Sequence, residues 1–231
     1  MKQIKQSGFT IIEVVLFLAI SGLLAVGLMV GTGVAIQRQQ YRDSVQSYAN
    51  FLRNQYGQVI SVENREGVDR ECPLRAGTDP RGRSSCVIVG RYIAATDASG
   101  QKYSTYPIYA TEDGADNWVF GYDNDKADGE YEPSWGVNTL LVDGSATKAP
   151  FSVVMSRHPE TGVLAIHANP ATVSSADVGG LIDVNEDDQE ICVFSNGWLI
   201  GERQSVFIGA MAGSGDAITV GNASSDCKSD A

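Results

Sequence analysis

"SGFTIIEVVLFLAISGLLAVGLMVG", residues 7–31, is almost uniformly apolar, yet it carries a carboxylate, Glu13, five residues into the run that starts at Phe9. From Phe9 to Ile36 there is no basic residue, and the clearly polar interruptions are Thr10, Glu13, Ser21 and Thr32. As a helix this run spans about 42 Å, more than the ~30 Å hydrocarbon core of a bilayer requires. A secretory signal peptide has an apolar region of only about 7–15 residues that ends at a small-residue cleavage site, so the run is too long for one. Residues 9–36 therefore read as a transmembrane helix. Its acid needs a reason, because a carboxylate near the middle of a membrane helix costs about 2.5–3.5 kcal/mol.

Beyond residue 36 the period changes without a break signal. Tyr41, Val45, Tyr48, Leu52, Tyr56 and Val59 recur at spacings of three and four, with Gln39, Gln40, Arg42, Asp43, Gln46, Asn50, Arg53 and Asn54 between them. That is an amphipathic helix with one apolar stripe. No proline occurs before Pro73, so residues 37–61 continue the membrane helix as one rod to about Ile60. Gly57 is a mild weakness near its end.

The chain of 231 residues leaves roughly 170 for one globular domain at 62–231. Its 17 basic side chains against 28 acidic ones give a net charge of −11, and most of the acid lies beyond residue 60. The domain repels a phosphate backbone, so direct nucleic-acid binding is not expected, a local basic group at Arg75, Arg81 and Arg83 notwithstanding. The four cysteines, Cys72, Cys86, Cys192 and Cys227, are even in number and lack zinc-ligand spacing. They read as two disulfides in an oxidising compartment rather than as reduced buried thiols. Among three possible connectivities, short loops favour Cys72 with Cys86 and Cys192 with Cys227. Lys2 and Lys5 flank one end of the apolar run and Arg38 and Arg42 the other, so charge leaves its orientation open. Cysteine chemistry breaks the tie, with the domain outside and the amino terminus in the cytoplasm.

A short basic leader, then Gly8-Phe9-Thr10-Ile11-Ile12-Glu13, then a long apolar helix running into an amphipathic one, resembles the amino-terminal signature of type IV pilins and type II secretion pseudopilins. The resemblance covers about residues 1–35. It implies that residues 1–8 are a leader, removed by a membrane prepilin peptidase between Gly8 and Phe9, and that the same enzyme N-methylates Phe9. Removal takes away Lys2 and Lys5 and leaves 15 basic against 28 acidic side chains, a net charge of −13. In that family the acid corresponding to Glu13 pairs with the amine of an adjacent subunit as apolar helices pack into a filament core. Such pairing offsets the burial penalty of both charges and sets axial register. The bland reading places Glu13 at the lipid headgroup level, where it costs little. One departure stands out: Gly22 matches a glycine common in pilins, but Val30 stands where a proline follows eight residues later in many of them. Gly27, Gly31 and Gly33 serve either local unwinding or close helix contact.

In the outer domain only strands are well signalled: "CVIVGRYIA" at 86–94, "NWVFGY" at 117–122, "FSVVMS" at 151–156, "GVLAIH" at 162–167, "ICVF" at 191–194, "WLIG" at 198–201 and "SVFIG" at 205–209. Ser195-Asn196-Gly197 predicts a tight hairpin between "ICVF" and "WLIG". Residues 157–162, with Pro159 and Gly162, predict a longer hairpin joining "FSVVMS" to "GVLAIH". The expected fold class is α+β, a long amino-terminal helix packed on an antiparallel sheet, which is also what the resemblance implies.

Asp123, Asp125, Asp128 and Glu130, near Gly129, resemble a calcium loop, because hard oxygen ligands at alternating positions converge on one ion. An extra residue before Asp128 breaks the EF-hand pattern, although some major pseudopilins bind calcium in an outer loop. A second acidic stretch, residues 183–190, lacks the glycine for a sharp turn. His158 and His167 have no nucleophile or metal motif beside them, so they read as hairpin or surface residues and no catalysis is expected. Trp118, Trp135 and Trp198 read as sheet-packing residues, with a glycan- or partner-binding surface as the alternative. Asn222-Ala-Ser is a formal glycosylation acceptor, meaningful only in a host with that machinery. The polar tail carries Cys227, whose bond to Cys192 would pin a loose end, as carboxy-terminal cystine loops do in many pilins.

The sequence thus predicts a pilin-like subunit of the minor kind, or a pseudopilin subunit, rather than an enzyme. Its partners would be the prepilin peptidase, other pilin or pseudopilin subunits, an inner-membrane assembly platform with its ATPase, and membrane lipid before assembly. No cofactor is required, calcium aside. The alternative from another class is a membrane-anchored module whose domain captures a glycan or secreted substrate and does not polymerise.

Overall fold

The structure, a computed structural model, describes residues 10–61, 72–75, 86–114, 117–144, 146–182, 188–195, 203–209 and 217–227. The leader and the junction of Gly8 with Phe9 lie outside the described residues. One helix, α1, runs without interruption from Ile11 to Ile60. Thr10 caps it: the Glu13 backbone N–H donates to Thr10 Oγ1 at 3.4 Å, the Thr-x-x-Glu arrangement that satisfies an orphan donor of a first turn. At the other end Ser61 N–H donates to Gly57 O at 3.0 Å. No proline lies inside it, and Gly22, Gly27, Gly31 and Gly33 have open space around them.

The two halves of α1 share a backbone geometry and differ in what covers them. All six stripe residues, Tyr41, Val45, Tyr48, Leu52, Tyr56 and Val59, are buried, together with Ser44, Ala49 and Gln55. The apolar half is exposed along its length.

Among the described residues eleven strands form two antiparallel sheets. In the first, β1 (Val87–Ala95), β2 (Tyr103–Glu112), β3 (Trp118–Gly121), β7 (Ser152–Arg157) and β8 (Leu164–Asn169) lie in the order β3-β2-β1-β7-β8, and β4 (Gly129–Tyr131) also pairs with β2. In the second, β5 (Asn138–Asp143), β6 (Ala146–Lys148), β9 (Gln189–Phe194), β10 (Gln204–Ile208) and β11 (Ile218–Asn222) lie in the order β11-β10-β9-β5-β6. The helix stripe packs with residues of both sheets in one core, among them Ile93, Val153, Met155 and Ile166 of the first and Leu141, Ile191, Val206 and Ile218 of the second. The period of two along β1 sends Ile93 and Ala95 to the helix and Tyr92 and Ala94 to the opposite face. There a strap, residues 170–182, covers the sheet through Val173, Val178 and Ile182. It is tied down by Val173 N–H donating to Tyr92 Oη at 2.7 Å and by Ser152 Oγ donating to Ala171 O at 2.7 Å. A bulge between Ile88 and Gly90 puts Val89 on the strap side, and a Cβ at Gly90 would lie 2.4 Å from Met155 O, so that position needs glycine.

The coarse expectation, α+β with a helix on antiparallel sheet, holds, as does the hairpin of β7 with β8. The tight hairpin does not. Both edges of residues 191–193 are taken, one by β5 and the other by β10, where Val193 faces Gln204. No edge is left for "WLIG", whose residues lie outside the described ones together with Asn196 and Gly197. β2, absent from the expected strands, contains Pro107, which normally argues against a strand. The proline is tolerated because β4 pairs with residues 103–105 and β3 with residues 109–112, so it falls in the gap between two outer neighbours.

The β1–β2 connection is organised by Asp97. Its carboxylate accepts from the N–H groups of Ser99 at 3.2 Å, Gln101 at 2.7 Å and Lys102 at 2.8 Å, while Gly100, at φ 63°, passes so close to Thr139 that a Cβ would meet its carbonyl at 2.1 Å. Burial raises the pKa of Asp97, but hydrogen bonds from the Ser99 hydroxyl and from the Lys102, Gln101 and Ser99 N–H groups outweigh it, and the net shift is downward. A lowered folded-state pKa contributes stability that is present above the unfolded value, about 3.9, and lost as pH falls through the folded one. Asp97→Asn should therefore lower the urea midpoint of the full chain in detergent at pH 7, and the gap to the parent should close below about pH 4. A gap that is constant from pH 7 to pH 2 would contradict this role.

Candidate functional site

The first half of α1 is uncovered. Fifteen large apolar side chains between Ile11 and Ile36 are exposed, Ile11 at 85%, Phe17 at 69% and Met29 at 76% among them. Leaving such a side chain in water forfeits ~1.5 kcal/mol or more, so the total is on the order of 20 kcal/mol, larger than the whole stability of an ordinary domain. The helix is long and apolar enough to cross a membrane, and none of its most apolar window is buried. Glu13 sits in its first turn, exposed, where a negative charge is also favoured by the helix dipole.

Polar groups fix how the domain sits on the second half. The Tyr41 hydroxyl accepts from Gln204 N–H at 2.7 Å and donates toward Val193 O at 2.9 Å, and burial pushes its pKa up. Ser44 Oγ lies 2.7 Å from Ser134 O, and Arg53 Nε donates to Ile218 O at 2.9 Å. Tyr131 of β4 stacks on Phe51 at 4.1 Å between ring centres, and its hydroxyl meets Ser47 Oγ at 3.0 Å.

Arg91 is the charged residue within this packing. Only 8% exposed, it donates from Nε to Gln55 of α1 at 2.9 Å, and from Nη1 and Nη2 to the two oxygens of Asp128 at 2.5 and 2.9 Å. Thr105 Oγ1 donates to the same carboxylate at 3.0 Å, and Asp128 N–H donates to Thr105 O at 2.9 Å. A planar guanidinium presents two parallel donors to one carboxylate, the strongest geometry open to such a pair. One signal for it was in the sequence: an arginine inside "CVIVGRYIA" is charged where its neighbours are apolar, and arginine is almost never fully buried unless paired.

In this structure the residues of the calcium reading have other partners. Asp128 is turned to Arg91 and Thr105; Asp123 accepts from Asp125 N–H at 3.1 Å and has Lys126 Nζ at 3.4 Å; Glu130 lies in β4 opposite Ser104. The four carboxylates do not converge. Among the described residues the group of metal-ligand types that does gather, within 4.8 Å, is Glu190, Cys192 and Cys227, and its two sulfurs are bonded to each other. Of the second acidic stretch, residues 183–187 lie outside the described ones.

The disulfides are Cys72–Cys86 and Cys192–Cys227, with Cα separations of 5.5 and 5.6 Å. The second ties the carboxy-terminal tail to β9, helped by Ser224 N–H donating to Glu190 at 2.9 Å and Arg203 donating to Cys227 O at 3.0 Å. His158 accepts from the N–H groups of Glu160 and Thr161 within its hairpin loop, and His167 is buried in β8. Trp118 is half-buried and donates to Glu160 at 2.9 Å. Trp135 departs from the sheet-packing expectation, being 64% exposed with φ 62°. Trp198, Arg81 and Arg83 lie outside the described residues.

Breaking a buried pair by removing one partner is far more costly than removing both. Because Asp128 keeps 29% of its side chain exposed against 10% for Arg91, Asp128→Ala should cost about 2–3 kcal/mol in urea unfolding of the full chain, below the cost at a fully buried site. The double variant Arg91→Met, Asp128→Ala should lose clearly less than the two single losses added, and strict additivity would dissolve the pair as a unit. In comparisons with known proteins, no family model, no curated protein and no solved structure matches this chain.

Proposed function

We propose that the chain is the precursor of a filament subunit of the type IV pilin or pseudopilin kind, anchored in the cytoplasmic membrane by α1 and later assembled through that helix. The observation that carries this reading is the uncovered apolar half of a single rigid helix whose first turn holds one carboxylate, Glu13, directly after the Gly8-Phe9 junction. A tether needs about 20 apolar residues and no acid. Cleavage after Gly8 places a new, methylated amine on Phe9, one helical turn from Glu13. In a dry helix core the two charges of neighbouring copies neutralise each other, and a subunit docked one step wrong leaves both unpaired. Lipid covers the helix first and other subunits replace it. An assembly platform with its ATPase would supply the energy, and the domain itself performs no catalysis.

Intact mass and amino-terminal sequence of the protein from membranes, with and without a co-expressed prepilin peptidase, test the first step. The expected product begins at Phe9 and is one methyl group heavier. Glu13→Leu should be cleaved but remain in the membrane and be missing from the sheared filament fraction. A chain that still begins at Met1 beside an active peptidase would make this a tethered domain instead.

A further inference from the structure

Between β4 and β5 the chain makes a knuckle, Ser134–Gly136, whose three residues are exposed while the flanking Pro133 and Val137 are buried. At its tip Trp135 has φ 62° and ψ 21°, in the left-handed region, and Gly136 follows at φ 63°. A residue with a Cβ in that conformation costs about 1–2 kcal/mol, and a glycine would adopt it freely. The indole nevertheless leaves most of its surface uncovered, with 64% of the residue exposed. A bulky side chain held outward at a conformational cost is the kind of outlier that points to a contact outside the chain. The knuckle is also firmly placed, since Ser134 O accepts from Ser44 Oγ of α1 at 2.7 Å.

We infer that Trp135 is the point at which the domain of one copy docks on the apolar helix of a second copy, an inference that rests on the filament reading above. Lipid is the wrong occupant. Residues 11–36 span about 38 Å, close to the ~40–45 Å of a bilayer with its headgroups, and Ser44 lies about 12 Å further along the rod. With the apolar run in the membrane, the Ser44 contact that anchors the knuckle lies outside the hydrocarbon core. A neighbour displaced along the rod instead brings its own uncovered helix past the knuckle. Charge favours the same occupant. The chain is strongly acidic, −13 after removal of residues 1–8, but residues 14–37 carry no charged side chain, so this stretch can approach another copy without repulsion.

The test replaces Trp135 by the photo-crosslinker p-benzoylphenylalanine in full-length protein, in cells where the parent chain yields sheared filaments. The expected product is a covalent dimer whose linked peptide maps to residues 14–37 of the second copy. A link to lipid alone, to another protein alone or to nothing, in cells that still make parent filaments, overturns the inference and leaves the filament reading intact. If the parent is never cleaved or polymerised, the filament reading fails and takes the inference with it. A second variant separates docking from folding. Trp135→Gly should keep or raise the thermal midpoint in detergent and lower filament yield by about tenfold or more, as loss of an interface anchor does. A fall in the midpoint would instead make Trp135 a structural residue of the isolated chain.

Discussion

Everything in this molecule depends on one helix serving two surroundings without a change in its backbone. Hydrogen bonds within α1 satisfy the peptide groups from Ile11 to Ile60 whatever lies outside them, so side chains alone decide what each half touches. In the first half apolar residues go all the way round, and no face is reserved for the protein. In the second half they are confined to one stripe, and both sheets share it. Among the described residues that face of both sheets is covered by the helix stripe, so the domain is built around residues 41–59. The membrane-length half is therefore a rigid extension of the domain's own core.

Apolar packing alone would leave the helix some freedom to shift along its axis, since ridges and grooves repeat every turn. The polar members of the stripe remove it. Tyr41 reaches the second sheet, Ser44 the knuckle, Arg53 the edge strand β11, and Gln55 the buried Arg91 of the first sheet. A slip of one turn, about 5.4 Å, would break all four at once. The same slip would move Glu13 by that distance relative to the domain. Bonds made by α1 residues well down the chain from Glu13 thus set where its charge stands along the rod.

The parts of this arrangement legible in the sequence were those governed by short-range periodicity. The stripe at 41–59 could be read because a helix covered on one side must repeat its apolar residues every three or four positions, and all six positions are buried. Strands β1, β7 and β8 could be read because unbroken runs such as "FSVVMS" bury both faces of a sheet. What could not be read depended on distant partners. Asn196-Gly197 is a strong local turn signal, but β5 and β10 already occupy both edges of β9. Pro107 hid β2 because the gap between β3 and β4 exists only in three dimensions. The spacing of Asp123, Asp125, Asp128 and Glu130 said nothing of Arg91, 37 residues away from Asp128, which holds that carboxylate in this structure.

Magnitudes decide what the opening carboxylate needs. Capping and the helix dipole favour Glu13 in a first turn by about 0.3–1 kcal/mol. A charged side chain buried in a membrane costs about 2.5–3.5 kcal/mol at the centre of a helix and less near its end. At the helix terminus, where Thr10 caps and Glu13 is exposed, these two terms come close to cancelling, so a membrane-anchored chain tolerates the acid without a partner. That balance is lost once the terminus leaves the headgroup layer for the interior of a helix bundle. There the dipole term stays the same while the penalty for an unpaired carboxylate grows to several kcal/mol. A positive charge beside it then becomes necessary, and from Phe9 to Gln37 no side chain of this sequence can supply one. In the filament reading the one cation close enough is the amine that cleavage creates, which makes processing a physical precondition for packing these helices together.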